Sequence, residues 1–201
     1  MANPYFDIAF TPRVKTWQER WGSRAAYGRA AEHAGEAFSA REIEFVEARD
    51  TFFLASVSDS GWPYVQHRGG PPGFVRHLQD SAIGWAEFAG NRQFVSSGNA
   101  EGDSRVAMIF LDFAQSRRLK LLGHLPPFDA ADRPDLALRL AVDGYAARVE
   151  RMAMVEVLGF DWNCPQHIVR RFTAPEMEQF AAPLQVRIAE LQMRLEACDP
   201  P

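Results

Sequence analysis

The spacing of apolar residues divides the chain into a helical beginning, a β-rich middle and a helical end. Residues 4–12 read as an extended lead-in. Over 14–33, Val14, Trp17, Trp21, Ala25 and Ala26 recur at helical intervals, and Gly22, Gly28 and Gly35 weaken the helix they predict. That helix would pack on the domain or on a second subunit. Residues 39–50 predict a cleaner helix, opened by a capping box of Ser39 and Glu42 and continued by Ile43 and Val46. At residue 51 the period changes. Residues 51–57 and 62–68 are β-prone and flank the turn Asp59-Ser60-Gly61, a hairpin. Residues 74–78 and 82–86 form a second strand pair around Gln79-Asp80-Ser81. Residues 105–112 and 117–122 form a third, and 151–160 give a further strand. A helix is predicted over 135–147 from Leu136, Leu140 and Tyr145, and 161–171 is irregular. The last helix spans 174–197, where Leu184, Ile188, Leu191 and Leu195 recur at steps of four, three and four. Hairpins without βαβ alternation predict a mainly β, antiparallel barrel with flanking helices.

Composition narrows the function classes. A chain of 201 residues with 47% apolar side chains can bury a core as one domain with helical extensions. A net charge of −4 gives no general attraction to nucleic acid. No run approaches the roughly 20 apolar residues of a membrane span. The first twelve residues lack the layout of a signal peptide, so a cytoplasmic protein with no membrane partner is expected. Cys164 and Cys198 have no close spacing, and the five histidines are scattered, so neither a disulfide framework nor a metal site is expected.

Chemistry concentrates in 90–112. Gly90-Asn91 is a helix-start candidate followed by Arg92, Gln93, Ser96 and Ser97, with turns read at Gly98-Asn99 and Gly102-Asp103. Free N–H groups at a helix start, with a cation, can hold a phosphate; the alternative is a capped helix with a solvated Arg92. His67 and Arg68 are adjacent on a strand and point to opposite faces, which favours Arg68 for a ligand. Gly69 and Gly70 either admit a ring close to the backbone or form a bulge that closes the barrel. Trp162 fits a ligand wall, the core or an interface. Cys164 is expected to be a buried, inert thiol.

Five ordered runs, GWPYVQHRGG, GNRQFVSSGN, DSRVAMIFLD, RLKLLG and DWNCPQHIVRRF, resemble the pyridoxamine 5′-phosphate oxidase-related FMN-binding proteins. Within that family they resemble the branch of predicted flavin-nucleotide-binding proteins. The resemblance covers about 39–172. It implies an FMN-binding split barrel over 39–173, preceded by a helical extension, 1–38, and followed by a helix, 174–201, on the body or the dimer partner. It implies a homodimer with FMN at the subunit interface. The implied cofactor positions are Gln66, His67, Arg68 and Gly69; Asn91, Arg92 and Gln93; Ser97; Arg118; and Trp162 with Asn163. Gln93 stands where the family has a second cation, a charge Arg68 or Arg118 would supply. The implied activity is transfer of electrons or hydride to or from a small-molecule substrate or donor. The alternative is a non-catalytic protein that binds, stores or senses flavin or haem.

Overall fold

The computed structural model describes residues 4–32, 38–127, 133–162 and 164–198. Seven antiparallel strands form one sheet: β1 (Thr51–Val57), β2 (Pro63–Gly69), β3 (Val75–Gln79), β4 (Ala82–Phe88), β5 (Arg105–Asp112), β6 (Arg117–His124) and β7 (Val149–Trp162). Their order across the sheet is β2-β1-β5-β6-β7-β4-β3. The three predicted hairpins are therefore present, as β1–β2, β3–β4 and β5–β6.

That order requires curvature. Strands β2 and β3 are consecutive in the chain yet occupy opposite edges of the sheet. A flat sheet of seven strands spaced ~4.8 Å apart would hold those edges roughly 29 Å apart. Residues 70–74 join them, and six Cα steps reach at most about 22 Å. The sheet curls into a half-barrel, and side chains close the turn. Phe52 of β1 meets Trp85 of β4 with ring centroids 5.0 Å apart, although three strands lie between β1 and β4 in the order.

The inner face follows the period of two. Phe52 and Leu54 of β1, Val106, Met108 and Phe110 of β5, Leu119 and Leu121 of β6, and Val155 of β7 are buried. Phe52 is the hub, stacked on Phe110 at 5.0 Å and on Phe74 at 5.9 Å. Where β6 and β7 shift register, Gly123 is required. A Cβ there would lie 2.4 Å from the Glu156 carbonyl oxygen and 2.8 Å from Val155 Cγ1.

Helices cover what the curl leaves open. In α4 (Ala40–Glu47) the predicted Glu42 half of the capping box is in place, its Oε2 accepting from the Ser39 N–H at 3.2 Å. At the far end, Glu47 Oε1 accepts from the His77 N–H at 2.9 Å, which satisfies a donor of edge strand β3. Arg49 then anchors to the buried Asp112 at 2.7 Å. A short helix, α6 (Pro134–Arg139), buries Leu136, and Leu140 just after it, against Leu78, Ala82, Met152 and Met154 on the other face of the sheet. The predicted helix over 135–147 thus stops early, at Arg139; Gly144 farther on takes a φ of +72°. The predicted lead-in at 4–12 is instead helical from Pro4 to Ala9 (α1), and Tyr5 packs over Gly159 of β7. Helices α2 (Pro12–Arg20) and α3 (Arg24–Glu32) replace the single helix predicted over 14–33, broken near Gly22 with its φ of +71°. His33 lies outside the described residues.

The chain divides into two compact units: residues 1–112 with 117–164, described above, and residues 113–116 with 165–201. In the second, Ser116 donates to the Ile168 carbonyl at 3.2 Å and Arg171 lies over the Phe113 ring. Its main element is α7 (Ala174–Cys198), opened by a capping box the sequence reading missed: the Thr173 N–H donates to Glu176 Oε2 at 2.7 Å.

Candidate functional site

The inner faces of β2, β4 and β7 and the loop 89–94 enclose a cleft of about 210 Å³. Alternation along β2 decides which side chains enter it. Gln66 and Arg68 face inward, while His67 turns to the other face, where Thr51 Oγ1 lies 2.5 Å from its Nε2 and Phe53 packs at 5.6 Å. Arg68 donates to Glu87 Oε1 through Nε at 3.2 Å and Nη2 at 3.0 Å. The other oxygen of Glu87 accepts from Arg151 Nη2 at 2.5 Å, its partner in the β4–β7 register.

A second carboxylate stands at the mouth. Glu150 Oε1 accepts from Arg92 Nε at 2.7 Å and from Arg148 Nη2 at 3.1 Å. The hydrogen bond and charge of Arg92 hold the Glu150 carboxyl below the ordinary carboxylate range against partial desolvation. Four arginines thus meet two glutamates, a cluster of net charge +2. Arg151 also lies over the Phe94 ring at 4.4 Å. Trp85 adds a further demand: its Nε1 is buried at the cleft and has no hydrogen-bond partner among the described residues. An unsatisfied buried donor is costly, and a ligand acceptor would relieve it.

The loop carrying Arg92 is not the helix start predicted at Gly90-Asn91. Helix α5 (Val95–Gly102) begins later, so Gly98 and Asn99, predicted as a turn, lie inside it. Asn99 is buried and donates to Ser56 Oγ at 2.9 Å, a satisfied core amide that stabilises the helix there. Ahead of α5, Arg92 and Phe94 take left-handed backbone at φ of +55° and +52°, which strains non-glycine residues and aims both side chains at the cleft. Gln93 donates its backbone N–H to Asn91 Oδ1 at 3.2 Å, so Asn91 shapes the turn.

Of the positions singled out in the sequence, Gln66, Arg68, Gly69, Asn91, Arg92 and Gln93 line this cleft together, and His67 borders it while its ring packs on the other face. Ser97 lines a neighbouring cavity with Glu101 and Pro126, while Ser96 donates to Gln66 at 3.0 Å. Arg118 lies on β6 and does not line the cleft. Trp162 is also elsewhere. Its Nε1 donates to Glu42 Oε1 at 2.6 Å, and its ring packs on Phe45 and under Arg41 and Arg117. Asn163 lies outside the described residues. Cys164, expected to be buried, is exposed where β7 has ended. The ring lying over Gly70 is the protein's own: a Cβ there would be 2.6 Å from Phe74 Cγ.

Two further cations of this cluster, Arg148 and Arg151, were not among the positions singled out in the sequence; they pair with Glu150 and Glu87. No local pattern marks them. Arg151 and Glu87 are 64 positions apart and meet only through strand pairing.

The family model described as Pyridoxamine 5'-phosphate oxidase matches residues 39–188. No curated protein matches the chain. Solved structures to which it is similar include HupZ of Group A Streptococcus, at 13% identity and a TM-score of 0.43, covering 62% of this chain and 94% of that one. Another is a Clostridium acetobutylicum protein related to general stress protein 26 of B. subtilis, of the pyridoxinephosphate oxidase family. It has 14% identity and a TM-score of 0.41, with coverage of 66% and 92%. A third is an FMN-binding protein of Syntrophomonas wolfei, at 12% identity and a TM-score of 0.41, with coverage of 76% and 97%. Matched over most of its length by that model, the chain belongs to the pyridoxamine 5'-phosphate oxidase family.

Proposed function

We propose that the cleft binds FMN and that the protein is a flavoprotein passing electrons or hydride to or from a small molecule. The observation that carries this is the charge of the cleft. Arg68, Arg92 and Arg151 line it against Glu87 and Glu150, and Arg148, which pairs with Glu150 but is not part of the lining, brings the cluster to +2, the complement of a phosphate dianion, beside an aromatic wall of Phe74, Trp85 and Phe94. Arg92, at the mouth, would exchange Glu150 for phosphate, and the positive end of the α5 dipole adds to the field. The orphan Nε1 of Trp85 suits a ring carbonyl or nitrogen. Bound FMN supplies hydride and one-electron chemistry; the chain supplies position, charge and exclusion of water.

The cleft's 210 Å³ falls short of the roughly 300–1,000 Å³ of ligand sites, which favours completion by a second copy, a homodimer. Added FMN should be retained with its blue and near-ultraviolet absorption bands. In titrations of flavin fluorescence, Arg92→Ala should bind FMN several-fold more weakly and with a shallower salt dependence, while riboflavin, without the phosphate, should bind both proteins equally. Equal FMN affinity would overturn the phosphate assignment.

A second reading, binding without turnover, is favoured by one observation. Both carboxylates of the cleft are engaged by arginine, and His67 is engaged by Thr51 on the other face. Holding a ligand needs no proton-transfer group. Photoreduced protein that passes electrons to acceptors no faster than free FMN would establish that reading instead.

A further inference from the structure

We infer that α7 is the strand of a parallel, two-stranded coiled coil between two copies of this chain. The seam is regular. Met177, Ala181, Leu184, Ile188, Leu191, Leu195 and Cys198 follow one another at steps of 4, 3, 4, 3, 4 and 3, the heptad spacing that keeps one stripe facing a partner. Within its own unit, among the described residues, the stripe is exposed, Leu184 to 56%, Ile188 to 55%, Leu191 to 44% and Leu195 to 70%. A continuous apolar face of this extent marks an interaction surface. Pro183, inside the helix, stands off the seam and leaves the stripe intact.

Three features select the occupant. First, the seam has β-branched Ile188 at a central a position, with Leu184 and Leu191 at the adjacent d positions, the combination that suits two parallel strands. Second, Arg187 and Arg194 flank the a positions, and Gln185 and Gln192 flank the d positions. In a parallel pair Arg187 of one copy faces Gln192 of the other. In an antiparallel pair with Cys198 beside Met177, Arg187, which pairs within its own helix with Glu190 at 2.8 Å, would instead face Arg187 of the other copy, a like-charge contact. Third, α7 carries four glutamates and two arginines, a net charge of −2, which opposes the surface of an anionic bilayer.

Cys198 makes the direction readable. At a d position of a parallel pair, the two thiols face each other within disulfide reach. In an antiparallel pair, Cys198 would lie beside position 177, about 31 Å from its copy. The full-length protein carrying C164S, which removes the other thiol, should convert mostly to a dimer under diamide: two thiols are oxidised to one disulfide and diamide takes up the two hydrogens. Thiol reductant should return the monomer band. L184E/I188E in the same background should reduce cross-linking to the level of C198S. Both substituted positions are exposed, so unchanged circular dichroism of the β-rich unit would show that folding is preserved. As a second arm, protein carrying M177C, C164S and C198S should cross-link with itself but form no mixed disulfide with the C164S protein. Mixed 177–198 disulfides would overturn the parallel direction. Failure of the C164S protein to cross-link, or cross-linking indifferent to L184E/I188E, would overturn the pairing.

Discussion

Trp162→Phe isolates one interaction and tests where Trp162 belongs. The substitution keeps a ring against Phe45 but deletes the indole N–H that donates to Glu42 Oε1 at 2.6 Å. Glu42 is 4% exposed, and its remaining donors are the backbone and hydroxyl of Ser39. A hydrogen bond to a charged group contributes about 1.5–3 kcal/mol. The weaker pull of a phenyl ring on Arg41 and Arg117 adds a fraction of the ~0.5–1 kcal/mol such contacts carry. A loss of about 2–3 kcal/mol is therefore expected, or a fall in melting temperature of roughly 4–12 °C for a chain of this size. The pH dependence has a definite sign. Burial raises the Glu42 pKa, but the bonds from Ser39 and Trp162 outweigh it and leave the group below its ordinary 4.5. The stabilisation is thus fully present above pH 4.5 and is lost as pH falls through the lowered value. Urea unfolding at neutral pH and near pH 4, in wild-type and Glu42→Gln backgrounds, measures it, and the double-mutant cycle gives the coupling. A loss under about 0.5 kcal/mol, or the same loss in Glu42→Gln, would refute the reasoning. FMN affinity should not change; a tenfold loss of affinity with stability intact would return Trp162 to the ligand.

Two further outcomes follow from the same geometry. Gly123→Ala places a Cβ against backbone at the β6–β7 register shift, so a loss of about 1–3 kcal/mol is expected from chemical denaturation, and full stability would mean that β7 can move away. Trp85→Phe removes the unpartnered donor and should weaken FMN binding by about 0.5–1.5 kcal/mol in equilibrium dialysis; unchanged affinity would show that the indole N–H does not contact the ligand.

What could be read from the sequence was local. The hairpins, the Ser39–Glu42 cap and the inward face of Arg68 follow from period and turn chemistry within a few residues, and each is present. The misses share a physical cause. Gly98-Asn99 has turn composition, yet Asn99 is helical because burial pairs it with Ser56, 43 positions away. Residues 4–9 lack a helical stripe, and their helix rests on Gly159, a contact no local pattern encodes. No local pattern sets Arg148 and Arg151 apart. Arg151 lines the cleft, and Arg148 pairs with Glu150 beside it, only because β4 and β7 pair and the sheet curls to bring Arg68 to Glu87.

That curl makes the cleft a reporter on the whole sheet. One wall, Arg68, hangs from the first strand in spatial order, and the facing wall, Glu87, from the sixth, with only residues 70–74 as a covalent clasp between the two edges. No subset of neighbouring strands can assemble the site, and an opened ribbon would keep nearly all its ladders yet lose the cleft. Any molecule held there stabilises closure by mass action, through a link that involves no strand-to-strand hydrogen bond. Occupancy of the cleft and the curl of the sheet are thermodynamically linked.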